Sequence, residues 1–124
     1  MGTEAVIYVL DDDAAVREGL GRLMKAAGFE VRSCASEDEL VSSADASVPG
    51  CVLFDLSAAL GAPGSLSHRL EDRGIHMPLI ALTGAGASEM QGNARAKGAD
   101  FLFSKPVDAR ALLDAIGWVM GDAR

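Results

Sequence analysis

The feature that most constrains this chain is an alternation. Short apolar, β-branched runs recur, and each is followed by residues with helical spacing. "AVIYVL" (5–10) has no polar alternate position, as expected of a strand buried on both faces. In "AAVREGLGRLMKAAG", Val16, Leu20, Leu23 and Ala27 fall on one helical face, and Gly28 supplies a stop. "FEVRSC" (29–34) alternates like a strand. Ser36 stands three residues before Glu39, a capping-box spacing that opens a second helix to about Ala44. "CVLFD" (51–55) is a third strand ending in an acid, "LSAALGAPG" (56–64) a loop, and "SLSHRLEDRG" a weaker third helix ending at Gly74. "PLIALT" (78–83) enters a fourth strand through a proline. "GAGA" is a loop, and "SEMQGNARAKG" a fourth helix with Ser88 and Gln91 in capping-box register. "DFLF" (100–103) is a fifth strand, and Asp108 caps a last helix with Leu112, Leu113, Ile116 and Met120 on its apolar face.

Five repeats of strand then helix predict an α/β fold, with a parallel sheet covered by helices on both faces. At 124 residues the expectation is one domain, 1–124, without internal repeats or linkers and without room for a second folded unit. A net charge of -7 and a pI of about 4.6 remove the general electrostatic footprint of a nucleic-acid binder. No apolar run reaches the roughly 18 residues of a membrane span. The start, "MGTEAVIYVL", lacks the basic and apolar regions of a signal peptide. Cys34 and Cys51 have neither metal-ligand nor redox spacing, so they read as reduced core cysteines of a cytoplasmic protein.

In an open parallel sheet, ligands bind beyond the carboxyl ends of the strands. The first strand there runs into Asp11, Asp12 and Asp13, the third ends in Asp55, the fourth in Thr83, and the fifth is followed by Lys105 and Pro106. Adjacent carboxylates about 4 Å apart repel by about 4 kcal/mol at an effective dielectric of about 20. Part of the triplet reads as a helix entry, and Asp13 takes that role. Asp11, Asp12 and Asp55 together make a hard, oxygen-rich set that suits Mg²⁺. Asp55 reads as a carboxylate nucleophile toward a phosphoryl donor, with Thr83 and Lys105 stabilising phosphoryl oxygens. Each residue alone has a plainer explanation as turn or surface chemistry. Their joint position at four strand ends points to phosphoryl transfer.

With these residues placed, the chain resembles the receiver domain of two-component response regulators from about Ala5 to Met120. "IYVLDDDAAVREGL", "GFEVRSCAS", "LIALTG" and "KGADFLFSKPV" resemble FixJ-type receivers in particular. The resemblance implies a flavodoxin-like (βα)5 fold with strand order 2-1-3-4-5. It implies that Asp55 is the phospho-acceptor, and that Asp11, Asp12, Asp55 and the backbone carbonyl of Ser57 hold Mg²⁺. It further implies that Thr83 is the switch hydroxyl, that Lys105 contacts the phosphoryl group, and that Lys105–Pro106 is cis. The implied partner is a sensor histidine kinase or phosphotransfer protein. Asp55 would take the phosphoryl group from the partner's phosphohistidine, and slow hydrolysis of the resulting aspartyl phosphate would release phosphate and restore the carboxylate. The resemblance leaves three outputs open: a phosphorylation-dependent homodimer through the fourth helix, fifth strand and fifth helix of the repeat, a phosphate shuttle, or binding of a kinase or motility partner. No direct nucleic-acid or membrane contact is expected.

Three departures from the family pattern stand out. Ala58 and Ala59 replace a common Met-Pro, followed by "LGAPG". Leu102 occupies a position usually held by Tyr or Phe, with Phe101 and Phe103 on either side. FixJ-type receivers normally precede a DNA-binding domain, and these 124 residues hold none, so the expectation is either a single-domain regulator or an excised or truncated receiver. The first two motivate an alternative, a degenerate receiver acting by phosphorylation-independent protein contact. A more distant reading takes Asp11 and Asp13 as the Asp-x-Asp start of a haloacid-dehalogenase-type phosphatase, against which Ala15 and the short chain both count. His68 and His76 read as surface or helix-end residues, and Trp118 and Met120 as packing residues.

Overall fold

The computed structural model describes residues 5–59, 65–84 and 87–121. The distal part of the expected 56–64 loop, with Leu60, Gly61 and Gly64, lies outside them, as does the side chain of Ser88. The elements are β1 (Val6–Leu10), α1 (Ala14–Ala26), β2 (Glu30–Cys34), α2 (Glu37–Ser43), β3 (Gly50–Asp55) and α3 (Leu56–Ala59). They continue with α4 (Leu66–Glu71), β4 (Leu79–Thr83), α5 (Ala87–Ala96), β5 (Phe101–Ser104) and α6 (Ala109–Val119). The strands form one parallel sheet in the order β2-β1-β3-β4-β5. This is the implied flavodoxin-like (βα)5 arrangement.

Strand alternation divides the core into two layers. Tyr8, Leu10, Val52 and Phe54 pack on the side of α2, α4 and α5. Ile7, Val9, Leu53 and Ile80 pack on the other side against Met24 of α1 and Leu112 and Ile116 of α6. Both faces of the central strands are therefore covered, which is why β1, β3 and β4 read as unbroken apolar runs. Each such Leu, Ile, Val or Phe contributes about 1.5–3 kcal/mol by burial. The one polar group on β1 is satisfied: the Tyr8 hydroxyl accepts from the Asp45 backbone N–H at 3.0 Å.

The helix entries follow the sequence closely. The Asp13 carboxylate accepts from the N–H groups of Ala15 and Val16, and Ser36 accepts from Glu39. Glu39 closes its capping box one residue early, accepting from the Ala35 N–H at 2.8 Å. Asp108 caps α6 through Ala111. Gly28 and Gly74 end their helices at φ of 98° and 73°, a conformation glycine adopts without steric cost.

Four expectations need correction. Residues 56–59 are helical rather than loop, because Leu56 is drawn fully into the core directly after β3. The buried face of α1 centres on Gly21 and Met24, with Leu20 and Leu23 at its margin and Ala27 exposed. A Cβ at Gly21 would meet Val31 at 3.7 Å, so this small residue lets α1 lie close to β2. Helix α5 begins at Ala87, which puts Ser88 inside the helix rather than at its cap. Trp118 is not a packing residue: it is 65% exposed, the one large apolar side chain so placed among the described residues. Met120, by contrast, packs against the second layer, and His68 and His76 are exposed as expected. Cys34 and Cys51 are free and buried. Burial in apolar surroundings pushes the Cys51 thiol up to about 12. No helix among the described residues is long and apolar enough to cross a membrane.

Candidate functional site

Strand order decides which residues meet. β1 and β3 are neighbours, and β4 and β5 follow β3, so the carboxyl ends of all four lie side by side. Asp11 comes directly after β1, and Asp55 is the last residue of β3. One carboxylate oxygen from each of Asp11, Asp12 and Asp55 lies within 4.8 Å of the others. Asp11 and Asp55 are buried, whereas Asp12 is exposed.

Asp11 is held on every side. Its N–H donates to the Cys34 carbonyl at 3.3 Å, and its Oδ1 accepts from the Asp13 N–H at 2.9 Å. Its carbonyl accepts from Arg17 Nη1 at 2.6 Å. Lys105 Nζ donates to Asp11 Oδ2 at 3.0 Å and to Asp55 Oδ1 at 3.2 Å. The other Asp55 oxygen, Oδ2, accepts from the Ser57 hydroxyl at 2.7 Å. The Lys105 N–H donates to the Thr83 carbonyl at 2.7 Å, which carries the β4–β5 pairing one residue past β5. Thr83 itself is buried at the end of β4, and the Lys105–Pro106 bond is cis.

The electrostatics follow from this geometry. Burial disfavours a charged ammonium at Lys105, but Asp11, through its hydrogen bond and its charge, and then Asp55 outweigh it. The net effect raises the lysine above its ordinary range. The ammonium bridges Asp11 and Asp55 but not Asp12, so three carboxylates stand against one paired lysine and the cluster keeps an excess of negative charge. A divalent cation with oxygen preference fits that donor set.

The structure thus brings Asp11, Asp12, Asp55, Thr83 and Lys105 to one sheet edge. It also shows two contacts that sequence reasoning missed. At Ser57 the hydroxyl bonds the Asp55 carboxylate, where only a backbone carbonyl had been expected to take part. Arg17 reaches the site from α1. Its one signal in the sequence is a cation close to a helix start, where an acid is the usual choice.

A family profile described as "Response regulator receiver domain" matches residues 7–117. The chain is 30% identical over 115 residues to transcriptional regulatory protein TdiR of Thauera aromatica, covering 93% of this chain and 51% of that protein. It is 33% identical over 118 residues to transcriptional regulatory protein FixJ of Azorhizobium caulinodans, covering 93% of this chain and 54% of the relative. The solved structure "FixJ-N" superposes with a TM-score of 0.75 at 26% identity, covering 100% of this chain and 98% of that one. The chain belongs to the receiver domain family of response regulators. Within that family it is FixJ-like.

It is accordingly a phospho-accepting signalling module of the two-component type, in a family that is typically non-enzymatic. Neither the degenerate-module reading nor the phosphatase reading is favoured by these matches. Receivers generally use Mg²⁺ and work with a histidine kinase or phosphotransfer partner. The acidic cluster here could hold such a cation. The chain spans about half the length of the curated relatives it matches.

Proposed function

We propose that Asp55 accepts the phosphoryl group, from a phosphohistidine on a sensor histidine kinase or phosphotransfer protein. The observation that carries this is the Lys105 ammonium bridging the buried Asp11 and Asp55 at 3.0 and 3.2 Å, with the exposed Asp12 carboxylate beside them. An Asp55 carboxylate oxygen attacks phosphorus. The new P–O bond forms as the P–N bond to imidazole breaks, and the leaving nitrogen keeps the electron pair and takes a proton. Lys105 shifts from the carboxylates to a phosphoryl oxygen as negative charge builds there. Thr83 donates its hydroxyl to another such oxygen. Asp11, Asp12, Asp55 and the Ser57 carbonyl are the proposed Mg²⁺ ligands. When bound, the ion would neutralise phosphoryl charge that one lysine cannot balance alone.

The same reading treats residues 1–124 as a single receiver unit working in the cytoplasm without touching nucleic acid. Phosphorylation would favour pairing through α5, β5 and α6. The exposed Trp118 on α6 supplies apolar surface for such a contact. Incubation with acetyl phosphate and Mg²⁺, read by intact-protein mass, tests the central step. Wild type should gain one phosphoryl group and Asp55→Asn none. Equal uptake by Asp55→Asn would sink the assignment.

A further inference from the structure

Arg17 is the fourth residue of α1, close to the helix end where a cation is disfavoured by the aligned peptide dipoles. No acid occupies that first turn. Arg17 forms no ion pair among the described residues, although three carboxylates cluster nearby. Its Nη1 instead donates to the backbone carbonyl of Asp11 at 2.6 Å. That carbonyl belongs to the peptide unit joining Asp11 to Asp12.

The two acids it joins are held very differently. Asp11 is buried, and its side chain is fixed by the Asp13 N–H and by Lys105. Asp12 is exposed, and its carboxylate makes no hydrogen bond among the described residues. Nevertheless it lies within 4.8 Å of ligand atoms from Asp11 and Asp55. With no partner of its own, the Asp12 side chain takes its direction from the backbone that carries it. Arg17 clamps that backbone.

We propose that Arg17 is a positioning residue for the cation site: its bond to the Asp11 carbonyl fixes the Asp11–Asp12 peptide plane and thereby aims the Asp12 carboxylate. This rests on the reading of Asp11, Asp12 and Asp55 as a Mg²⁺ site. The role has an unusual sign. A nearby arginine that acted only through its charge would repel the cation, and its removal would tighten binding. A clamp predicts the opposite, because loss of the clamp lets Asp12 wander. Removing a group that orients a metal ligand typically weakens affinity by about 10-fold or more.

The test is a titration of the metal-free protein with Mg²⁺ alone, followed by amide NMR shifts, on wild type, Arg17→Met and Arg17→Lys. Met keeps the aliphatic stem and removes both charge and donor; Lys keeps a charged donor. Arg17→Met should raise the half-saturating Mg²⁺ concentration about 10-fold, with Arg17→Lys recovering most of the loss. Tighter or unchanged binding by a folded Arg17→Met overturns the proposal and leaves the cation site standing. Wild type that fails to bind Mg²⁺ withdraws the site itself. Should Arg17→Met not fold, Arg17→Leu, which likewise lacks both charge and donor, carries the same comparison.

Discussion

Lys105→Met isolates what one ammonium does for two buried acids. Lys105 lies 3.0 Å from Asp11 and 3.2 Å from Asp55, whose side chains are 1% and 7% exposed. At an effective dielectric of about 20, each attraction is about 5 kcal/mol gross. Most of that is offset by the cost of desolvating the ammonium, so the gross sum is not the loss to expect. The consequence lies in what remains. Two carboxylates with ligand oxygens within 4.8 Å are left facing each other without a counter-charge. At the same dielectric their repulsion is about 3.5 kcal/mol. Lys105 is 25% exposed, so water enters where it stood and screens part of this. The expected net loss is about 2 kcal/mol, below the roughly 3–5 kcal/mol of a fully buried pair broken on one side. Urea unfolding near neutral pH in chelator should show it as a lower midpoint at unchanged slope. Adding Asp11→Asn to Lys105→Met should recover at least half, since it removes the repulsion. Mg²⁺ should narrow the gap between Lys105→Met and wild type, because the cation supplies the missing charge. The lysine is raised in the folded state, so its contribution is complete below the ordinary lysine value of about 10.4 and is lost as pH rises through the folded value above that. The gap should therefore be constant across neutral pH and shrink only in strong alkali. A Lys105→Met protein within about 0.5 kcal/mol of wild type in chelator, the range of ordinary surface changes, would refute the reasoning.

Two further outcomes test the packing that carries the site. Glu37 is 4% exposed, with Oε1 bonded to Arg69 at 2.6 Å and Oε2 at 3.7 Å from Lys97. Arg69→Met should cost about 2–3 kcal/mol in chemical denaturation, because it strips the stronger partner from a buried carboxylate, while Glu37→Gln should cost less. Equal losses would count against a charge-based account. Gly98 sits at φ +87°, and a Cβ there would meet Ser67 Oγ at 2.5 Å. Gly98→Ala should lower stability by about 1–2 kcal/mol from backbone strain alone, and a melting temperature equal to wild type would contradict this.

Much of the fold was legible because parallel strands covered on both faces must be continuously apolar. β1, β3 and β4 emerged within a residue of their observed limits, and the capping acids Asp13 and Asp108 were visible as entries to α1 and α6. α3 was not legible. Four residues carry too little periodicity to announce a helix, and its cause is the burial of Leu56 beneath the turn after β3. Trp118 misled for a related reason: an aromatic residue on an amphipathic helix is normally core, and only the packing of α6 shows that it faces outward. The site residues were legible because each follows a strand. Arg17 and the Ser57 hydroxyl were not, since each acts on a neighbour's atoms rather than through a motif of its own.

Sequence alone determined the five strands, the caps Asp13, Ser36 and Asp108, and the residues standing at the strand ends, because these follow from local periodicity and turn chemistry. It could not by itself decide that those ends share one edge. Lys105 reaches Asp11 across 94 positions of chain and Asp55 across 50. Those contacts depend on the order β2-β1-β3-β4-β5, which sets β1 beside β3 and carries β5 to the far side of β4. Strand order is a global outcome of how crossover helices bury both faces of a sheet. Tertiary structure alone therefore brought acids that repel as near neighbours in sequence together with Asp55 under a distant lysine that bridges two of them, with a hydrogen bond from Arg17 of α1 on the Asp11 carbonyl.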